Sequence, residues 1–364
     1  FDWLDNHTEN LWLLNKKEAL HWYYNPDKLF DANLLEFVDL TTVLDNACIS
    51  YYYSKHNALS NVNCLIPISK HYEESEAIFN AALPTIQKYT LSDTTFQFQN
   101  FRTANVFYNI EKNGIKVDKK CFIEHYNEKL IHPEFNLKRG KIYTQYNLYT
   151  TTSRPSNTFN GTNFAALNKD SGERTCYVAE NDKFIELDFQ GYHPRLIGDL
   201  VDFHFPNDTN CYQYLGELLG VSQQEAKELT FKQLYGGVWR EYQNQPFFKD
   251  VAVYTDKLWD TFQYGGYVAT QNRMLRVSEL PDMTPAKLLN YVIQSYETST
   301  NVTILNVILN LLKDKKTKLV LYTYDAFLFD YAKEDGDILT EIKDIIHFPI
   351  TIKQGKSYHG LKKI

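Results

Sequence analysis

The sequence has few cysteines, no excess of positive charge and no long apolar run. Its five cysteines are scattered and contain no CxxC pair, which argues against a zinc site or a disulfide framework and favours reduced thiols in an intracellular protein. The net charge of -7 excludes a broadly basic nucleic-acid binder, so any contact with a polyanion needs a local patch. No stretch approaches the roughly 18 apolar residues of a membrane span, so no membrane partner is expected.

The 364 residues favour two or three packed units, and the chain contains no internal repeat or low-complexity tract. Strands are predicted at 183–189 and 348–355, and 318–331 predicts two strands joined by a tight turn. Residues 208–246 favour helix. The pattern is α+β, with helices inserted between antiparallel strands that carry carboxylates.

The first part of the chain is less informative. Residues 106–130 predict a helix, an Asn-Gly turn, a short extended piece and a second helix. Residues 140–156 predict a strand that leads into a polar loop. The stretch 71–83 has a helical pattern, but 1–105 contains no motif that carries chemistry.

Two aspartates, Asp188 and Asp325, stand at the ends of apolar runs that should be buried. A carboxylate in such a place is costly unless it is paired or binds a metal, and two of them together repel each other. A pair of Mg²⁺ ions removes that cost and creates a phosphoryl-transfer site. Taken alone, each aspartate also fits a cap or a turn.

The helix predicted at 223–237 carries four side chains at intervals of four residues: Gln223, Lys227, Phe231 and Tyr235. They therefore share one face of the helix. A cation there can hold a triphosphate, and an aromatic ring one turn on can stack on a base. The same spacing fits an amphipathic helix that buries both rings and leaves Lys227 in solvent.

These features resemble the family A DNA polymerases, the class of bacterial DNA polymerase I and its phage relatives. The family's first acidic motif, D-Y-S-Q-I-E-L-R, is similar to "DFQGYHPR" from Asp188 to Arg195. Its fingers helix, R-x3-K-x3-F/Y-x3-Y-G, is similar to the four side chains above followed by Gly236. Its second acidic motif, H-D-E, is similar to "YDA" at 324–326.

Three weaker matches follow the family's order. "TTSRPS" at 151–156 is similar to T-x-T-G-R-L-S, with Arg154 at the arginine. "GGYVATQNRMLRVSELPD" at 265–282 is similar to G-Y-V-x-T followed by L-P, and "NYVIQ" at 290–294 is similar to N-A-P-I-Q. The resemblance covers about 106–364; the single-subunit phage-type RNA polymerases share the two aspartates and the K-x7-Y-G spacing.

The resemblance implies an α+β fold with a right-hand polymerase palm of antiparallel sheet, helical fingers and a minimal or missing thumb. The implied units are 1–105 of unknown role without intact exonuclease motifs, 106–140 as a reduced thumb leading into the palm, 141–200 as the first part of the palm with the first acidic motif, 201–285 as the fingers, and 286–364 as the second part of the palm with the second acidic motif.

The implied function is template-directed DNA synthesis, in which dNTPs are added to a primer 3′-OH, in phage or viral DNA replication. Two Mg²⁺ ions, for which Mn²⁺ can substitute, would be held by Asp188, Asp325 and the backbone carbonyl of Phe189. The partners would be primer-template DNA and dNTPs, with a separate exonuclease or processivity protein as an additional candidate.

By the same resemblance Lys227 would hold the triphosphate and donate a proton to the leaving group. The nucleotide pocket would consist of Phe189, Gln190, Gly191, Tyr192, His193, Gln223, Lys227, Phe231 and Tyr235. The DNA contacts would be Arg154, Asn290, Gln294, Gly236 and Tyr324. The ordinary alternatives are a solvated loop arginine for Arg154 and a polar helix face for Asn290 and Gln294.

Three residues depart from the family pattern. His193 stands where the family has the glutamate that screens out the ribose 2′-OH, which predicts weaker, but not absent, rejection of ribonucleotides; alternatively, it simply begins a helix with Pro194. Ala326 replaces a second carboxylate. Gln223 replaces an arginine that meets the γ-phosphate, which predicts weaker binding of dNTPs.

The thumb also departs from the family, because only about 21 residues separate Asp118 from Gly140. A polymerase without a thumb grips duplex poorly, so we expect low processivity without a partner. Two other functions stay open. One is an RNA-synthesising or primase-like enzyme, favoured by His193. The other is a catalytically dead platform subunit, favoured by Ala326, Gln223 and the short thumb.

Overall fold

The computed structural model describes residues 102–103, 106–107, 109–127, 140–144, 146, 150–156, 162–167, 172–206, 208–272 and 274–364. The helix predicted at 71–83, and nearly all of the N-terminal unit 1–105, lie outside these residues. In the described part, no helix combines the length and the apolar character needed to cross a membrane.

The helices are named in chain order. They are α1 (Lys119–Asn127), α2 (Tyr192–Val201), α3 (Cys211–Leu219), α4 (Gln223–Gly236), α5 (Pro246–Gly265), α6 (Pro285–Leu311) and α7 (Ile338–Ile345). The strands are β1 (Ile115–Val117), β2 (Lys141–Ile142), β3 (Tyr177–Val178), β4 (Lys183–Phe189), β5 (Tyr267–Ala269), β6 (Met274–Arg276), β7 (Lys318–Tyr322), β8 (Ala326–Tyr331), β9 (Ile350–Gly355) and β10 (Lys362–Lys363).

A five-stranded antiparallel sheet forms the centre of the fold, in the order β10-β9-β4-β8-β7. Strand β4 is its middle strand, where Asp188 lies opposite Ala326 of β8 and Thr351 of β9. A three-stranded sheet, β2-β1-β3, and the hairpin β5-β6 complete the pairing among the described strands. The mixture of helices and antiparallel sheet agrees with the α+β prediction.

The two faces of β4 have different environments because successive side chains of a strand point to opposite sides. Ile185, Leu187 and Phe189 enter the main apolar core. On the other face, Phe184 is buried in a second core, whereas Glu186 and Asp188 are only partly buried. The strand therefore anchors itself through one face and presents two carboxylates on the other.

The 27-residue helix α6 joins the sheet to a helical layer. Towards its end, Val302 and Leu305 pack in the core that contains β4. Nearer its start, Leu289 and Ile293 pack in a core formed with α2, α3, α4 and α5. Burial of apolar surface on both sides of α6 thus fixes the helical layer relative to the sheet.

The strands predicted at 183–189, 318–331 and 348–355 are confirmed, as is the largely helical stretch 208–246. The helix, turn, strand and helix predicted across 106–130 are also present in its described residues.

The strand predicted within 140–156 is much shorter than expected. Among the described residues of this stretch, the strand comprises Lys141–Ile142, which pairs with β1, itself three residues long. Beyond β2, the backbone N–H of Tyr146 donates to the carboxylate of Glu111 at 2.7 Å. A side-chain acceptor therefore takes the place of a strand partner.

Candidate active site

The carboxylates of Asp188 and Asp325 line one cleft of about 250 Å³. Asp188 comes from the end of β4, and Asp325 from the turn between β7 and β8. The backbone N–H of Phe189 donates to the carbonyl oxygen of Asp325 at 2.9 Å, which ties the two segments together. The sheet thus brings together two aspartates that are far apart in the sequence.

The turn that carries Asp325 has an unusual backbone. Tyr324 has φ +66°, a left-handed conformation that is uncommon for a bulky residue. Thr323 N–H donates to Ala326 O at 3.0 Å, and Asn301 Nδ2 of α6 donates to Tyr324 O at 2.9 Å. These bonds hold the strained turn in place and fix where Asp325 enters the cleft.

The carboxyl group of Asp325 is electrostatically unfavourable as an anion. Although the residue lies at the exposed mouth of the cleft, surrounding protein desolvates its carboxyl group, and the charge of Asp188 repels it. Both effects raise the pKa of Asp325, and the charge of Glu297 adds to them. Positive charge in the cleft would reverse this, so the site favours a cation.

A lysine that the sequence analysis missed supplies positive charge at Asp188. Lys353 of β9 lies opposite Glu186 of β4 and contacts the carboxylates of both Glu186, at 2.9 Å, and Asp188. Burial alone would lower the pKa of Lys353, but the two carboxylates outweigh it and the pKa is raised. Glu186 could have been found from its position two residues before Asp188, on the same strand face.

A divalent metal fits this donor set through its chemistry. Asp188 and Asp325 offer hard oxygen ligands in one cleft, which suit Mg²⁺ or Mn²⁺. The described residues contain no group of three or more His, Cys, Asp or Glu close enough to hold a metal by themselves. A bound ion would therefore need further ligands, which backbone oxygens, water or substrate phosphates can provide.

The residues after Asp188 form a tight turn into α2. Gly191 caps the helix with φ +58°, and a Cβ at this position would lie 2.1 Å from the Sγ of Cys211. Position 191 therefore requires glycine, both for the backbone angle and for the space. The residue before it is held by a separate contact, in which Gln190 Nε2 donates to Thr351 Oγ1 at 3.0 Å.

Two side chains of the predicted nucleotide pocket, Phe189 and Tyr192, are buried in the main apolar core. Tyr192 stacks on Phe189 with ring centroids 4.3 Å apart, and both residues are buried. The Tyr192 hydroxyl donates to Asn301 Oδ1 at 2.6 Å. These two residues shape the turn into α2 through packing, whereas the next residue, His193, points towards α4.

His193 connects α2 with the predicted fingers helix. Its Nδ1 forms a hydrogen bond with the hydroxyl of Tyr235, whose ring stacks on Phe231 with centroids 5.6 Å apart. Burial, followed by the nearby charge of Glu297, raises the pKa of Tyr235 to about 12. The phenol therefore stays protonated at neutral pH and can donate to the imidazole.

The side chains of α4 that were predicted to face the nucleotide differ in how exposed they are. Gln223, Lys227 and Gly236 are exposed, whereas Phe231 and Tyr235 are partly buried. The ammonium of Lys227 lies 5.9 Å from the ring centroid of Tyr212. Ser222 and Glu225 form a capping box at the start of the helix. The opposite face, with Ala226 and Leu234, packs into the helical core, and Phe231 of the predicted face also packs against that core.

Arg154 is not a solvated loop arginine. Its guanidinium lies over the Tyr324 ring, 3.8 Å from the centroid, and its Nε is 2.8 Å from a carboxylate oxygen of Glu297. Burial would lower the pKa of Arg154, but the charge of Glu297 together with smaller effects of nearby tyrosines outweighs burial, and the pKa is raised. Arg154 therefore stays charged beside the turn that carries Asp325.

Two more of the predicted DNA contacts, Asn290 and Gln294, lie beside the loop that contains Arg154. Thr152 Oγ1 donates to Gln294 Oε1 at 2.8 Å, and Gln294 Nε2 donates to Asn290 Oδ1 at 3.0 Å. Asn290 and Gln294 are thus neighbours on α6 and touch the loop that contains Arg154. Sequence reasoning missed Glu297, although it lies three residues after Gln294 and therefore on a neighbouring face.

No model of a known protein family matches the chain, and no curated protein matches it in sequence. Among solved structures, the chain is similar to the POL domain of Pol1 from M. smegmatis, in complex with DNA primer-template and dNTP. The TM-score is 0.54 with 14% identity, over 86% of this chain and 78% of that chain. At this identity the similarity shows a shared fold, that of a DNA polymerase POL domain.

Proposed function

We propose that this protein is a template-directed DNA polymerase of the family A type, which adds dNTPs to a primer 3′-OH. The observation that carries the proposal is the meeting of Asp188 and Asp325 in one cleft. The similarity to a polymerase POL domain supports it independently of the side chains.

The proposed division assigns 141–200 and 286–364 to the palm, 201–285 to the fingers and 106–140 to a reduced thumb. The five-stranded sheet with both aspartates supports the palm, and the helices α3, α4 and α5 support the fingers. The described part of 119–139 contains the nine-residue helix α1, which is short for a thumb. Low processivity and a role in phage or viral replication remain part of the proposal.

Asp188, Asp325 and the Phe189 carbonyl would hold the divalent ions. When bound there, two Mg²⁺ ions supply activation of the primer 3′-OH and charge neutralisation at the triphosphate and the departing pyrophosphate. The protein's part is to keep the two carboxylates at fixed positions, and the Phe189–Asp325 backbone hydrogen bond supports that role.

The side chains around the cleft would bind and orient the reactants. Exposed Lys227 would hold the triphosphate and donate a proton to the leaving group. Phe231 would stack on the incoming nucleotide, and Tyr235 would close the pocket. Arg154, stacked on Tyr324, would contact the primer near its 3′ end, with Asn290 and Gln294 beside it.

A second function, a catalytically inactive platform of the same fold, is favoured by one observation. Lys353 contacts both Glu186 and Asp188, so protein charge neutralises part of the acidic cleft. A platform would need no metal to stabilise these carboxylates. In a polymerase, a metal ion that binds Asp188 has to share or compete for this carboxylate with Lys353.

Primer extension distinguishes the two functions. The protein is incubated with a short primed template, Mg²⁺ and either dNTPs or rNTPs, beside the Asp325→Ala variant and with DNA binding measured by fluorescence anisotropy. Extension by the wild type, lost in Asp325→Ala while DNA binding is retained, supports the polymerase. DNA binding without extension, in Mg²⁺ and in Mn²⁺, overturns it in favour of the platform.

A further inference from the structure

Glu297 is a completely buried carboxylate on α6 that the polymerase resemblance leaves without a role. It follows Gln294 by three residues and Asn290 by seven, so all three lie on one side of the helix. A buried charge of this kind persists only when specific partners compensate it. Its partners therefore indicate its role.

An arginine and a histidine from two different elements contact this carboxylate. Arg154, from the loop at 150–156, lies with Nε 2.8 Å from Oε2 and donates from a terminal nitrogen to Oε1 at 3.4 Å. His193, from α2, lies with Nε2 3.4 Å from Oε1. Glu297 is therefore the point at which three separate segments meet.

Each partner extends the contact to a residue of the proposed site. Arg154 stacks on Tyr324, in the turn beside Asp325. His193 Nδ1 bonds the hydroxyl of Tyr235 on α4. The other ring nitrogen, Nε2, faces Glu297. The imidazole is thereby contacted from both sides.

We propose that Glu297 is a positioning residue that sets sugar selectivity: it holds the His193 imidazole against Tyr235 and, through Arg154, links this pocket to the primer terminus. The inference rests on the proposed polymerase function and deepens it. A histidine in this position has one fewer acceptor than a carboxylate, so it needs an external anchor to occupy the space near the sugar reproducibly. Glu297 is that anchor.

The test uses Glu297→Gln, which keeps the shape of the side chain and removes its charge. We expect the preference for dNTP over rNTP, as a ratio of kcat/KM values, to fall about tenfold. The change should lie mainly in KM, because no reacting atom touches Glu297. Glu297→Asp, which keeps the charge, should recover part of the preference. Glu341→Gln, an exposed glutamate on α7, is the matched control and should leave the ratio unchanged.

A double-mutant cycle with His193→Gln separates positioning from general packing. If Glu297 acts through His193, Glu297→Gln in the His193→Gln background should cause little further loss of sugar preference. Additive losses would overturn the proposal. Folding of Glu297→Gln is checked by circular dichroism. If this variant does not fold, the double variant Glu297→Gln/Arg154→Gln takes its place in the cycle, because removing both partners leaves neither charge buried without the other.

An equilibrium binding experiment tests this inference separately from the proposed function. Binding of dNTP and rNTP is measured on the protein with a dideoxy-terminated primer-template, which permits binding without turnover. If the wild type binds dNTP and rNTP with different affinities but does not extend a normal primer, the proposed polymerase function is contradicted. The inference about Glu297 can still be tested from the ratio of the two affinities. Equal binding of both sugars by the wild type, or an unchanged ratio in Glu297→Gln, overturns the inference.

Discussion

The carboxylate of Asp188 contacts the ammonium of Lys353 on the neighbouring strand β9. The same lysine contacts Glu186, which shares the face of β4 with Asp188. Lys353 therefore stabilises two carboxylates at the edge of the cleft that Asp325 also lines. A divalent cation that binds Asp188 has to compete with this ammonium.

The first prediction is that Lys353→Gln binds Mn²⁺ more tightly than the wild type. Removal of the ammonium leaves Asp188 without its protein counter-charge, so a metal ion recovers more electrostatic energy on binding. The side chains are partly exposed, which limits the effect to about threefold to tenfold in Kd. The measurement is a Mn²⁺ titration followed by electron paramagnetic resonance.

Lys362→Gln on β10 is the control, since it removes the same charge from an exposed position on the same sheet. It should leave the Kd within about twofold of the wild type. Weaker binding of Mn²⁺ by Lys353→Gln would mean that Lys353 organises the carboxylates for the metal and does not compete with it.

The second prediction concerns stability and pH. The pKa of Asp325 is raised in the folded protein, first by desolvation and then by Asp188. Between the ordinary pKa of aspartate and this raised value, the folded state holds a proton that the unfolded chain has lost. Stability contributed by this group is therefore present at low pH and is lost as the pH rises through the raised pKa.

Asp325→Asn removes this penalty, so it should raise the Tm at pH 7.5 in EDTA while it abolishes activity. Solvent screening at the mouth of the cleft limits the gain to about 1–2 °C. The gain should shrink as the pH is lowered towards the ordinary range of aspartate, as measured by calorimetry at several pH values. Asp344→Asn, an exposed aspartate on α7, is the control. A lower Tm for Asp325→Asn would contradict the sign of the effect.

The elements that carry the two aspartates are predictable from sequence because their signals are local. Alternation of apolar residues predicts the strand before Asp188, and two apolar runs around a short polar break predict the hairpin at Asp325. Their meeting in one cleft does not follow from these signals. It depends on β4 pairing with β8 in one register. The motif resemblance implied that the two aspartates share a site, but it did not predict that pairing.

The contacts of Lys353 and Glu297 could not be predicted from local sequence signals. Lys353 reaches the carboxylates through the register of β9, and Glu297 reaches Arg154 and His193 through tertiary packing of α6. Neither contact has a sequence spacing that reveals it, since the partners lie more than a hundred residues apart. The shortened strand at Lys141–Ile142 has the same cause, because its length is set by its partner β1.

The third prediction is that Gly191→Ala is strongly destabilising. An alanine would have to adopt φ +58°, and its Cβ would collide with the Sγ of Cys211. We expect a loss of about 2–4 kcal/mol in the free energy of unfolding, measured with urea. Gly220→Ala has a similar φ, +68°, with open space around it, so it should cost about 1 kcal/mol.

Cys211→Ala should recover part of the Gly191→Ala loss, because it removes the colliding sulfur and leaves its Cβ 3.6 Å from the new methyl group. The double variant therefore isolates the clash from the backbone strain. If Gly191→Ala and Gly220→Ala cost the same, the clash has been relieved by movement and only the backbone angle matters.

The fourth prediction is that Gln223→Arg tightens the binding of dNTPs. Gln223 begins α4 one turn before Lys227, on the face proposed to hold the triphosphate, and it is exposed. An arginine there adds a charge-assisted contact to phosphate, which should lower KM for dNTP about threefold to tenfold. Gln224→Arg gives the same net charge near the helix start, but it points about 100° away around the helix and replaces a glutamine that donates to Glu228. If both variants lower KM equally, the effect is general attraction of the triphosphate to added positive charge, and α4 does not present residue 223 to the nucleotide. A gain confined to Gln223→Arg, reduced in a Lys227→Gln background, would show that the two positions act on the same phosphate group.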